Sequence, residues 1–379
     1  MVLLRDAEEI IENSLVVSKE AAFLISLMDG SRSLRDIQTE CMRKLGRLVY
    51  MEQIEQFVDV MDKHLLLSNE NFENHVSRLK EEYEKSPVRK PHLAGRSYHA
   101  NRMELLLFLE EMFKPSTWKR PKSRVRGLLA PHIDYERGME VYREIYPYLK
   151  GADKPLLVIL GTCHHYTSKI WSISLKDFST PIDSAPNSSE LGDLIKSDPV
   201  LKRYIDEWPH RNEHSIELQL PLIQFMLQDG FEILPILTGS MHEYVNGDKN
   251  IERDNELKDI VASFKSALEQ CGKPHMIISG ADLAHIGAQF GDRYALDALT
   301  LGQSEAKDQD VLEQIAAVDA DGFFDVIKRE SDRRRICGLT PIYFQLKLLE
   351  GSTCEIVKYK QWTDGRSSVS FTGGIFYKS

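Results

Sequence analysis

Five of the twelve histidines stand where an apolar run gives way to polar residues. They are His132 in Leu-Leu-Ala-Pro-His-Ile-Asp-Tyr, His164 and His165 in Ile-Leu-Gly-Thr-Cys-His-His, His214 in Glu-His-Ser-Ile-Glu, and His285 in Ala-Asp-Leu-Ala-His. An apolar run that stops abruptly reads as the end of a buried strand, and open α/β sheets place ligands at such ends. Neutral imidazole is the commonest protein ligand for a transition metal. The pattern points to one metal site gathered from distant segments.

Each position also has a plainer reading. His132, fixed by Pro131 before it, is either a ligand or a structural histidine bonded to a main-chain carbonyl. The side chains of His164 and His165 must diverge, so one ligand and one supporting or substrate-contacting residue are expected. Gly161 before them allows close backbone approach. Glu213, His214 and Glu217 open an expected amphipathic helix. Its i, i+3 spacing lets His214 and Glu217 share a face, and its carboxylates suit the helix start. A solvated first turn with one capping side chain is the alternative. No second histidine follows, so the spacing of an HExxH zinc protease is absent. Asp282 and His285, three residues apart, are expected to form a carboxylate–imidazole pair that orients the ring as a general base.

Cys337 follows Arg333–Arg335. Three guanidiniums would favour the thiolate, which is the nucleophilic and metal-binding form, and could draw in an anionic substrate. The alternatives are a solvated charge run and an inert cysteine before a helix headed by Thr340 and Pro341. Cys41, Cys271 and Cys354 read as buried and inert.

The elements that must position these residues follow from periodicity. Val125–Ala130, Leu156–Leu160, Ile233–Leu237 and Met276–Ser279 read as buried strands, and helices are expected over about 137–149, 213–228, 253–270 and 340–350. Such alternation predicts an α/β domain over residues 91–379, with a central mixed sheet flanked by helices. Period-two patterning in Glu355–Lys360 and Ser368–Tyr377 adds an antiparallel pair. Residues 76–90, rich in charge and holding Pro87, read as a charged linker or solvated helix.

Residues 1–75 read as a separate, small, mainly helical α+β domain. Ser18 and Ser33 are expected caps, and Ile54, Phe57, Val58 and Met61 give a third helix its apolar face. A short strand is expected at Leu65–Ser68, which would make the unit winged-helix-like. Residues 1–78 hold nine basic against fourteen acidic side chains, a net −5, the wrong sign for a DNA-binding face. Docking of a protein or peptide suits the unit better.

The composition is that of a soluble protein, with 42% apolar and 28% charged residues. A net charge of −10 gives no general attraction for nucleic acid or anionic membrane. No apolar stretch approaches the roughly 20 residues that cross a bilayer. The start lacks a basic segment followed by an apolar one, so no signal peptide is expected. Five widely spaced cysteines without CxxC argue against a disulfide framework. A cytoplasmic location is expected.

Taken in order, Pro131-His-Ile-Asp-Tyr, Leu160-Gly-Thr-Cys-His-His, Glu213-His-Ser-Ile-Glu-Leu-Gln-Leu-Pro, Asp282-Leu-Ala-His-Ile-Gly and Ile336-Cys-Gly resemble the Memo family. His92-Leu-Ala-Gly-Arg-Ser-Tyr and Ser367-Ser-Val-Ser-Phe-Thr-Gly-Gly add to the likeness, which covers about residues 91–379. The N-terminal extension more faintly resembles PqqD-type winged-helix modules.

The resemblance implies a fold shared with LigB-type class III extradiol dioxygenases, which bind non-haem Fe(II). It implies a metal site of two histidines and one cysteine, with His132, His164 and Cys337 as ligands and His285 as the acid/base residue. His165, His214, Glu213 and Glu217 would contact substrate or support the ligands. Fe(II) is the leading metal, with copper or zinc as alternatives. The implied activity is that of a dioxygenase-like oxidoreductase acting on a small molecule or peptide. A non-catalytic accessory or redox subunit beside a radical-SAM partner is the second reading, and a zinc hydrolase the third. A dioxygenase would use a carboxylate where Cys337 stands, and a thiolate suits softer ions.

Overall fold

The structure, a computed structural model, describes residues 1–379 apart from 5, 7, 12, 13, 115–122, 151, 153, 166 and 229. The chain divides into two units, Met1–Ser86 and Pro87–Ser379. In the first, a short antiparallel ribbon of β1 (Val2–Leu4) and β2 (Leu15–Val17) precedes four helices. Ser18 caps α1 (Lys19–Ser26), and Ser33 caps α2 (Leu34–Leu45) in a reciprocal box with Asp36. The helices α3 (Met51–Lys63) and α4 (Glu70–Lys85) follow. Leu27, Ile37, Cys41, Val49 and Ile54 form a small core.

The strand expected at Leu65–Ser68 is not formed. Leu65 takes a left-handed φ of 58°, and the segment turns into Asn69, whose side chain caps α4. The ribbon therefore lies ahead of the helices rather than after the third. Most of the charged stretch 76–90 lies in α4.

The second unit opens with β3 (Val88–Arg89), α5 (Arg102–Phe113), β4 (Val125–Ala130), α6 (Tyr135–Ile145) and β5 (Leu156–Thr162). Next come β6 (Trp171–Ile173), β7 (Asp177–Ser179), β8 (Ser184–Ala185), α7 (Ser189–Ser197), α8 (His214–Glu217), α9 (Leu220–Leu227) and β9 (Glu232–Thr238). The rest comprises α10 (His242–Asn246), α11 (Asn255–Cys271), β10 (His275–Gly280), β11 (His285–Gly287), α12 (Ala298–Ala316), α13 (Ala320–Arg329), α14 (Leu339–Leu348), β12 (Ser352–Thr363) and β13 (Ser367–Lys378).

The main sheet is mixed. Four parallel strands lie at its centre in the order β4-β10-β5-β9, with β6 antiparallel outside β9 and β13 antiparallel outside β4. Val369 of β13 pairs with both Trp362 and His285, so β12 and β11 lie on opposite edges of that strand. Side chains of a strand alternate between faces. Leu156, Val158 and Leu160 of β5 accordingly pack in one core with residues of α7, α11, α13 and α14. Leu157 and Ile159 pack in the other, with residues of α5, α6 and α9. Helices thus cover both faces.

Two helix expectations are corrected. The single helix over 213–228 is two pieces, because Pro221 has no N–H to donate to the Glu217 carbonyl. The second piece is buried on nearly all sides rather than amphipathic, with Leu220, Leu222, Ile223, Gln224 and Met226 inside. The last helix begins at Leu339 after Gly338, so Thr340 and Pro341 lie within its first turn rather than heading it. Among the described residues, no helix is long and apolar enough to cross a membrane.

Candidate metal centre

Register places Ala130, Gly280 and Gly161 in one row at the carboxyl ends of β4, β10 and β5. His132, Asp282 and His164 follow two or three residues later, so three distant segments arrive level at the end of the sheet. Cys337 reaches the same place from the start of α14. Its carbonyl accepts from Thr162 Oγ1 at 2.8 Å, and Gly338 N donates to the Asp282 carbonyl at 2.9 Å.

His132, His164 and Cys337 each carry a ligand atom within 4.8 Å of the other two. Cys337 Sγ lies 3.2 Å from His132 Nε2, and the two imidazoles meet edge to face with centroids 5.0 Å apart. Both rings are anchored by the other nitrogen. His132 Nδ1 donates to the Gly280 carbonyl at 2.9 Å, and His164 Nδ1 to Glu213 Oε1 at 3.0 Å. Each therefore turns an unprotonated Nε2 toward the group, with its orientation fixed by a carbonyl or carboxylate as metal-binding histidines usually are. The donor set of two imidazoles and a thiol fits a transition metal. The structural reading of His132 is realised at Nδ1, and that bond leaves Nε2 placed for the ligand role.

Glu213 anchors two rings. His214 Nδ1 also lies 3.0 Å from Glu213 Oε1, and the His164 and His214 rings stack with centroids 4.5 Å apart. His164, Glu213 and His214 form a second group with the spacing of metal ligands. Glu213 Oε1, however, also accepts from the amides of His214 and Ser215, as the cap of α8, and its Oε2 from His164 N. A carboxylate so occupied acts as the partner that orients both imidazoles.

Burial and the imidazole–carboxylate contacts act against each other on the group's titration. Burial holds His132 well below the ordinary histidine range, with His164 and His214 adding to the effect. It raises the Cys337 thiol, reinforced by the Asp282 carboxylate. Burial also works to raise Glu213, but the His164 and His214 imidazoles overcome it and hold that carboxyl well below its usual range. For His214 burial acts downward, and its bond to Glu213 wins and raises it.

Two glycines let α8 lie against the strand ends. A Cβ on Gly161 would stand 2.5 Å from Ser215 Oγ, and one on Gly280 would stand 2.4 Å from the Ser215 carbonyl. A side chain at Gly280 would push back the α8 backbone, and one at Gly161 would displace the Ser215 and Ile216 side chains. Gly161 serves close approach from within β5, not from a turn.

Other expected partners are placed differently. Asp282 does not pair with His285. Residues 283 and 284 run extended along Ser370 of β13, and in extended chain positions three apart face opposite ways. Asp282 turns to His132, with Oδ1 accepting from its amide at 3.0 Å and Oδ2 lying 3.8 Å from its Nε2. Burial lifts this carboxyl to about 7. His285 Nδ1 bonds instead to the carbonyls of Leu283 and Arg335, at 3.0 and 3.2 Å, and burial lowers this ring to about 4. His165 belongs to neither ligand group; its carbonyl accepts from Cys163 Sγ at 3.3 Å.

Glu217 is turned away from the group. Its fully buried carboxylate pairs with Arg89 and accepts from Tyr98 Oη at 2.5 Å and from the amides of His92 and Leu93. Arg89, in turn, donates to the carbonyls of Glu213 at 2.9 Å and His210 at 3.0 Å. The support of Glu213 by Arg89 is invisible in the sequence, where Arg89 is one charge among many beside Lys85 and Lys90.

The sequence model of the Memo-like protein family matches residues 89–375. The chain belongs to that family. Curated relatives named as MEMO1 family proteins agree. One from Aquifex aeolicus is 28% identical over 374 residues, covering 97% of this chain and 94% of the relative. Others from Thermoplasma volcanium and Methanosarcina mazei are 29% and 28% identical and cover 64% and 72% of the chain, and 80% and 91% of their own lengths. The Aquifex match leaves room for few unmatched residues, so it runs through the first unit of this Memo-like chain as well. A solved structure of an uncharacterized Escherichia coli K12 protein aligns at 10% identity and a TM-score of 0.39, covering 66% of this chain and 99% of that one.

Proposed function

We propose that this Memo-like chain is a mononuclear non-haem Fe(II) protein with dioxygenase-like oxidoreductase activity on a small organic substrate. The observation that carries the reading is the convergence of His132, His164 and Cys337 within 4.8 Å, with both imidazoles anchored through Nδ1. Three protein donors leave positions for substrate and O₂, and the ion would supply their activation. The chain's own residues would do the rest. His214 lies beside His164, held by Glu213, where it can receive or return a substrate proton. His285, neutral at ordinary pH, is available as a second base. Both would contact substrate rather than the ion.

The softness of the donor set favours one second reading. Two imidazoles and a thiol suit Cu(I), and a chain that keeps such an ion without turnover would serve as a redox accessory, for instance to a radical-SAM enzyme. One experiment separates the two. The protein is purified anaerobically, its metals are quantified, and O₂ is admitted with candidate catechols. Stoichiometric iron and substrate-dependent O₂ uptake support the enzyme. Stoichiometric copper without uptake supports the accessory role. Tight zinc with hydrolysis and no uptake would refute both.

A further inference from the structure

Two of the three arginines before Cys337 are engaged by the chain's own carboxylates. Arg334 is buried, pairs with the fully buried Asp308 of α12, and donates to the Ser304 carbonyl at 3.1 Å and to Glu330 Oε1 at 2.9 Å. Asp308 is held from its other side by Tyr359 Oη at 2.9 Å. Arg335 pairs with Asp292 at 2.6 Å.

The backbone around this pair is strained. Ser331, Asp332 and Arg335 have φ of 54°, 45° and 53°, left-handed values that side-chain-bearing residues rarely adopt. Three such residues within five persist only where the surroundings over-determine them, and such strain gathers at functional sites. The turn makes direct bonds to residues of the metal centre's surroundings. The Arg334 carbonyl accepts from His285 N at 2.6 Å, and the Arg335 carbonyl from His285 Nδ1. Asp332 Oδ1 accepts from Ile336 N at 2.8 Å, immediately before Cys337.

We propose that Arg334 and Asp308 are positioning residues of the metal centre: their buried pair holds the 331–335 turn in its strained form, and the turn sets Cys337 against His132 and fixes the ring of His285. The inference rests on the metal-centre reading for its purpose, but not for its geometry. Neither residue touches the ligands; both act through the backbone. Losing the pair lets the turn relax toward ordinary φ values, which moves Cys337 Sγ away from His132 Nε2. Glycine adopts left-handed φ without strain, so a glycine at the exposed Ser331 should hold the turn with less help.

The test uses the full chain with Asp308→Asn, the same variant with Ser331→Gly added, and Arg334→Lys, which keeps charge but loses the planar fork. Co(II) binding is followed by titration and by thiolate-to-metal absorption. Alkylation of Cys337 by iodoacetamide is followed in the metal-free protein by peptide mass spectrometry. Asp308→Asn should weaken Co(II) binding about tenfold, as loss of a residue supporting a metal ligand typically does, dim the thiolate band and speed alkylation of Cys337. The added Ser331→Gly should restore most of both. Arg334→Lys should act in the same direction, and carries the test if Asp308→Asn does not fold. Folded variants with unchanged Co(II) binding and alkylation would overturn the proposal. So would a defect that Ser331→Gly leaves in full. If the unaltered protein shows no thiolate band yet alkylation follows the expected pattern and rescue, the metal reading fails and the positioning role stands.

Discussion

Cys337 Sγ lies 3.2 Å from His132 Nε2 although 205 positions separate them in the chain. With His132 Nδ1 donating to Gly280, Nε2 can only accept, so the thiol and the imidazole lone pair face each other across the space a metal would take. Cys337→Ser should remove thiolate-to-metal absorption on Co(II) loading and, like His132→Ala, weaken binding by more than roughly tenfold. Elemental analysis after dialysis, with circular dichroism to confirm folding, checks this. Full metal retention in both variants would dismiss the centre.

Glu213 holds His164 and His214 through one oxygen. Glu213→Gln leaves the cap of α8 largely in place but cannot accept two imidazole N–H groups equally well. Metal affinity should fall by about 10- to 100-fold. In the metal-free protein, ¹⁵N shifts of the two rings should show mixed tautomers in place of Nδ1-protonated ones. Two ions bound per chain, both lost in the variant, would instead make Glu213 a ligand.

Arg89 and Glu217 form an ion pair with both side chains at 0% exposure. Arg89→Met strands a buried carboxylate, which costs about 3–5 kcal/mol. Because Arg89 also supports the Glu213 and His210 carbonyls, the loss should reach the metal site too. Urea melts read the first effect and Co(II) titration the second; a melt that shifts by less than ~1 kcal/mol would contradict the assignment.

His210 is buried with Nε2 donating to the Ser172 carbonyl at 2.9 Å, and burial lowers its pKa from 6.5 to about 4. Between those values the unfolded chain binds the proton and the folded chain does not, so stability falls as pH drops through that window. The full loss from this ring is about 3 kcal/mol, at roughly 1.36 kcal/mol per pH unit. Urea melts at pH 7 and 4 should show a correspondingly smaller loss in His210→Gln. Equal acid sensitivity in the two proteins would place the effect elsewhere.

The histidines at strand ends were legible because a buried parallel strand is an unbroken apolar run, and its end is where the run stops. The four central strands were legible for the same reason. What failed was local inference about pairs. Asp282 and His285 look like neighbours only if the chain between them curls, and Ser370 holds it extended. Arg333–Arg335 looks like a charge patch, but Arg334 finds Asp308 26 positions away. Glu217 looks like a partner of His214 until Arg89 turns it aside. In each case a contact distant in sequence outweighed spacing, and spacing alone carries no record of such contacts.

The strand β13 bonds β12 along one edge and β4 and β11 along the other, and Ser370 holds residues 283 and 284 beside it. It lies later in the sequence than every element of the metal centre. During synthesis β13 therefore emerges after all of them. While β13 is still unplaced, the open edge of β4 can pair with other chains, and the segment carrying His285 has nothing to lie along. Mutations that slow the docking of β13 should thus reveal themselves as aggregation and poor metal loading during synthesis, even where the finished protein is as stable as before.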